Sequence, residues 1–180
     1  MIDFEYPWYR GGDFGDAIEQ GDFFDDFPIY LPQWQFGVGS TNPLVAEFDW
    51  EERNVVVMSQ TCDMVHGREK LDEVLLCAVW DSDELLQQQH ANRKTLEDMR
   101  RGNMPGYHVL ASCDLEGHER QPRVVDFRRV YSTPLPFLRT LALDRGSRLR
   151  LCPPYREHLS QAFARFFMRV GLPTDIPPFR

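Results

Sequence analysis

Cys62, Asp63 and His66 stand close together in Ser59-Gln60-Thr61-Cys62-Asp63-Met64-Val65-His66, and His108, Cys113 and His118 bring the same residue types farther on. Thiol chemistry needs a cysteine, a base and a group that orients the base. Cys62 would be the nucleophile, His66 or His108 the base, and Asp63 the orienter. Cys62, His66, Cys113 and His118 could also furnish four ligands to a tetrahedral zinc, although none of these spacings is that of a zinc knuckle. A third reading is architectural: Ser59, Thr61 and Asp63 are the side chains that hydrogen-bond the backbone of a tight turn. We favour the turn, and expect neither metal nor cofactor.

Charge narrows the function further. The 180 residues carry a net charge of −8, with twelve acids against Arg10 in residues 1–52 and sixteen acids against nineteen cations in the remainder. From Gly11 to Glu52 there are ten acids and no lysine or arginine. Such asymmetry implies an oriented surface, and its sign argues against nucleic acid as a direct ligand, because phosphate contacts draw on clustered cations. The expected partner is a protein with a basic surface, met by Asp22, Asp25, Asp26, Glu47 and Asp49. With 42% hydrophobic residues and no apolar run near bilayer length, no membrane is implied. The acidic, aromatic start is not a secretory signal, and four cysteines without a paired spacing suit a reducing compartment, so a cytoplasmic location is expected.

Short β-branched and aromatic runs between turn residues predict antiparallel strands around residues 21–31, 44–48, 55–59, 107–111 and 123–131, with residues 49–54 as a turn. Residues 74–80, apolar on both faces, predict a central strand with Cys77 as a small buried group. Residues 82–102 read as a helical insertion with a polar middle, and 135–143 as a short helix. The clearest helix spans 154–171, where Leu159, Phe163, Phe166, Phe167 and Val170 form one stripe and Gly171 and Pro173 end it. Residues 1–20 read as an irregular aromatic arm. One domain over 1–180 accommodates all of this.

Gly21-Asp22 opening a strand, followed by Arg53-Asn54-Val55-Val56-Val57-Met58-Ser59, resembles the signatures of the PemK/MazF-like superfamily, in a bacterial branch unlike a typical toxin. The resemblance implies an α+β domain built on a small SH3-like antiparallel β-barrel with a helical insertion and a C-terminal packing helix. For a toxin it implies a metal-independent, sequence-specific endoribonuclease, with Arg53 and Ser59 at the matching catalytic positions. The arginine that the family places after its first strand has no counterpart here. Without a preorganised cation, charge developing on phosphorus is unsupported. The favoured expectation is therefore a non-catalytic protein-binding module of a bacterial stress-response or phage-defence system, as in toxin-antitoxin or antiviral assemblies. The ribonuclease is the alternative.

Overall fold

In the computed structural model, which describes residues 7–32, 48–88 and 92–168, the apolar run Val55-Val56-Val57 explains the architecture. All three valines are fully buried, Val55 and Val57 in one hydrophobic cluster and Val56 in another. A strand hidden on both faces must have a cover on each side. It belongs to an antiparallel sheet of β2 (Phe23–Pro32), β3 (Phe48–Val57), β4 (Glu73–Asp81), β6 (Arg123–Pro134) and β5 (Tyr107–Leu110), in the order β2-β3-β4-β6-β5. Helix α3 (Leu135–Arg145) supplies Leu135, Leu138 and Ala142 to one cluster, and α4 (Tyr155–Phe167) supplies Leu159 to the other.

A second, two-stranded sheet pairs β1 (Tyr9–Asp13) with β7 (Ser147–Leu151). Residues 9–13 are thus a strand and not part of an irregular arm. Tyr9 is buried and Trp8 stacks on Tyr155 at 3.7 Å between centroids, so the aromatics of this segment do pack. Among the described residues the two sheets meet at one bridge, Asp22 to Arg150, beside which the Leu151 amide donates to the Gly21 carbonyl at 2.9 Å. Gly21 has φ of 86°, and a Cβ there would lie 3.0 Å from that of Leu151. Both the left-handed backbone and the close approach demand glycine. Among the described residues the ladders do not close into a barrel; the fold is α+β with seven strands in two antiparallel sheets and four α-helices.

Residues 49–54 are not a turn. The ladder runs unbroken from Pro28↔Glu52 to Pro32↔Phe48, so β2 and β3 form a long hairpin. Charged residues suit it because much of the hairpin's surface meets solvent, and alternation then has no core to report. The insertion is two helices, α1 (Ser82–Gln88) and α2 (Arg93–Arg100). Asn92 starts the second with a capping box, accepting from the Lys94 and Thr95 amides while Thr95 reaches back to the Asn92 amide. Leu85 and Met99 are buried against Trp80, Tyr107 and Val124, giving the insertion its own small core. On α4, Leu159 is fully buried, Phe163 and Phe166 are half-buried, and Phe167 is mostly exposed. Val170, Gly171 and Pro173 lie outside the described residues.

Candidate functional site

The motif after β3 folds as a turn in which nearly every polar group is engaged. A single 3-10 turn spans Thr61–Asp63, with the Asp63 amide donating to the Gln60 carbonyl at 3.0 Å. Ser59 is buried and its Oγ accepts from the Leu75 amide at 2.9 Å. Thr61 Oγ1 accepts from the Gln20 amide at 3.1 Å, and Asp63 takes a 2.9 Å contact from Lys70 Nζ. Cys62 is exposed, its Sγ 3.6 Å from Asp63 Oδ1, in a hollow lined by Gln20, Gln60, Arg156 and Ser160. Neither histidine named as a base lines that hollow. His66 is solvated, with Asp16 and Glu69 at 4.0 and 3.9 Å.

The other ligand candidates are equally dispersed. Cys113 is buried in a backbone bridge with Arg120, and His118 Nε2 lies 3.0 Å from Ser147 Oγ. Among the described residues no group of three or more cysteine, histidine or acidic side chains is placed to hold a metal. Cys77 is buried, and burial pushes its thiol up to about 12. Arg53 and Ser59 do not converge: six residues of extended chain separate them by roughly 20 Å. Arg53 is committed to a two-point ion pair with Glu51, at 2.8 and 2.6 Å, and lies over Trp80. Those hydrogen bonds hold the Glu51 carboxyl below its usual range.

The acidic segment is neutralised from the far end of the chain. Asp22 is 0% exposed and paired with Arg148 and Arg150, so it is an interior residue and not a surface contact. Asp25 meets Arg120 at 2.9 Å and Arg123 at 3.2 Å, and Glu19 meets Arg10, Arg150 and Arg156. Arg145 donates to the backbone carbonyls of Asp25 and Asp26. Asp26, Asp49 and Glu52 remain exposed without an ion pair among the described residues; Glu47 lies outside them.

What the hairpin does present is aromatic. Tyr30 and Trp50 are register partners on β2 and β3, and each is 63% exposed. Direct cross-strand partners point to the same face, so both side chains project from one side of the hairpin. Tyr30 also walls a groove of about 580 Å³ shared with Phe27, Pro28, Tyr131, Pro134 and Phe137. No lysine or arginine among the described residues lines it. Glu52, opposite Pro28, and Glu73, opposite Pro134, are exposed beside it and make no ion pair among the described residues. Sequence reasoning missed this site because it assigned Trp50 to a turn. The signal was present in the alternation of Trp50 and Glu52 with Glu51 and Arg53.

His108 lies elsewhere, on β5, where its ring stacks on Phe127. Burial, reinforced by the nearby His158, pushes its pKa down to about 4. The folded state therefore holds it neutral while the unfolded chain takes up a proton near pH 6.5. Stability from this source is complete above about pH 6.5 and is lost as pH falls toward 4. Urea titrations across that window should show a flatter pH dependence for His108→Phe than for wild type, and parallel curves would refute the assignment. Glu69 and Glu97, held down to about 2 by their arginine partners, act only at lower pH.

No family model, curated protein or solved structure matches this chain.

Proposed function

We propose that the chain is a non-catalytic protein-binding module whose hairpin groove takes a cationic, proline- or aromatic-containing segment of a partner protein. The observation that carries this reading is the exposed Tyr30 and Trp50 on the hairpin, with Tyr30 lining an apolar groove and the exposed Glu52 and Glu73 standing opposite two of its prolines. Rigid aromatic rings offer large contact area at low entropic cost, and proline-rich ligands dock in aromatic-lined grooves of this kind. Glu52 and Glu73 supply the charge that a basic segment complements. A partly open SH3-like barrel is part of the same reading, supported by the antiparallel order β2-β3-β4-β6-β5 and the bridge that returns β7 to β2. So is the setting that the PemK/MazF resemblance implies, a bacterial multi-protein stress-response or phage-defence system. Nothing in the placement of Arg53 and Ser59 favours the ribonuclease alternative.

A displayed library of random peptides, selected on the purified chain, tests the proposal. Enriched peptides should carry lysine or arginine together with proline or aromatic residues, and Trp50→Ala or Tyr30→Ala should weaken them about 30-fold, the effect of losing an anchor worth about 2 kcal/mol. Affinity should fall with added salt. Failure to enrich any peptide, or binding indifferent to both substitutions, would overturn it.

A further inference from the structure

A second concavity, of about 680 Å³, opens where the helical insertion, β5 and α4 come together. Its walls are largely apolar, with Trp8, Leu86, Leu96 and Leu110 among them, and two imidazoles, His108 and His158, complete them. Neither imidazole has a hydrogen-bond partner among the described residues; His108 stacks on Phe127 and His158 meets the edge of Tyr155. An apolar hollow of a few hundred Å³ with a small number of placed polar groups is the form that small-molecule sites take. This one is separate from the hairpin groove, with which it shares no lining residue.

The mouth of the cleft has a preferred charge. Glu97 is spent on Arg100 and Arg101, both at 2.7 Å. Arg93, also at the mouth, makes no ion pair among the described residues. It sits with Lys94 in the first turn of α2, a turn without an acid, where the helix dipole adds to the positive charge rather than offsetting it. Asp83, the remaining carboxylate at the mouth, lies in the first turn of α1, where the same dipole already compensates it. The uncompensated charge at the mouth is therefore positive.

We propose that this cleft binds a small planar molecule bearing one anionic group. Its ring lies among Trp8, the leucines and the two imidazoles, and its anion meets Arg93. A carboxylate and a phosphate share this chemistry, and probes with a common ring separate them: 2-naphthoate, 2-naphthyl phosphate and, as the cationic control, 2-naphthylmethylamine.

Calorimetric titration should show saturable binding of one or both anions with Kd below about 1 mM and none of the amine. The preferred anion identifies the head group. Imidazole resonances of His108 and His158 should shift on saturation. Arg93→Ala, an exposed change that leaves the fold intact, should weaken the anion about tenfold, as expected for a charge-assisted hydrogen bond. Leu96→Trp should abolish binding by filling the hollow, with circular dichroism confirming the fold. Absence of saturation by either anion, equal binding of the amine, or affinity unchanged by Arg93→Ala would overturn the proposal.

Discussion

Asp22→Ala is expected to lower the free energy of unfolding by about 3–5 kcal/mol, a large part of what a domain of this size possesses. The carboxylate is completely buried and saturated with donors. Oδ2 accepts from Arg148 Nε at 3.0 Å, Arg150 Nη2 at 2.8 Å and the Glu19 amide at 3.1 Å, while Oδ1 takes Arg150 Nε. The arginines spend further donors on the carbonyls of Gly15 and Ala17, and both lie over the ring of Phe14. Truncation strands the buried Arg148 guanidinium, which has no other carboxylate partner among the described residues, and leaves Arg150 with Glu19 alone. The loss of one partner of a buried pair costs far more than the pair contributes over apolar packing, because the remaining charge is uncompensated. It also removes the side-chain tie at the junction between the sheets, where Asp22 is the backbone bridge residue opposite Arg150. The readout is the midpoint of urea unfolding at unchanged slope. Asp26→Asn, exposed, without an ion pair among the described residues and compatible with the left-handed backbone there (φ 49°), is the control and should stay within about 0.5 kcal/mol of wild type. A cost below about 1 kcal/mol for Asp22→Ala would mean that water reaches the arginines.

That cage shows why the acidic stretch was read differently from sequence. Charge counted along the chain is local, whereas Asp22 and Arg148 are 126 residues apart and Asp25 and Arg123 are 98 apart. Nothing in residues 11–52 announces that its counter-ions arrive on β7 and β6. A clue was there in Ser147-Arg148-Leu149-Arg150-Leu151, whose strict alternation marks a strand with arginines on one face. All four residues after Ser147 are buried, so the arginine face points inward, against the usual rule. Elements with a two-sided or striped apolar signal were legible: β4 is central, α3 follows β6 directly, and α4 occupies Tyr155–Phe167 within the stretch its apolar stripe marks, whereas the insertion, whose start rests on cap chemistry, is two helices and not one. Asn92-x-x-Thr95 is the local signal that divides the insertion, a capping box at the start of α2. The Tyr30–Trp50 pair was harder, because it depends on a hairpin register that neither residue reveals alone.

The second large effect concerns the helix that closes the core. Phe127→Ala should cost about 3–5 kcal/mol, the range for emptying a buried aromatic site, and lower the melting temperature by roughly 6–20 °C. Phe127 is 1% exposed and stands at the meeting point of three elements: its ring meets Phe163 edge-on at 5.5 Å, Phe166 at 6.1 Å and His108 face to face at 6.3 Å. Helix α4 has one fully buried residue, Leu159, so much of its hold on the sheet passes through the phenylalanines that touch Phe127. The loss should therefore be uneven. Hydrogen exchange in α4 should accelerate more than in β3 and β4, because the helix can lift while the central strands stay paired. His108, deprived of the ring that covers it, should titrate closer to 6.5 than to 4, and the pH dependence of stability should flatten as it does in His108→Phe. Phe127→Leu, which restores most of the volume, should recover more than half of the loss. Uniform acceleration across the sheet and α4 would instead place the helix within the same cooperative unit as the central strands, and Phe127 would then be one core residue among many.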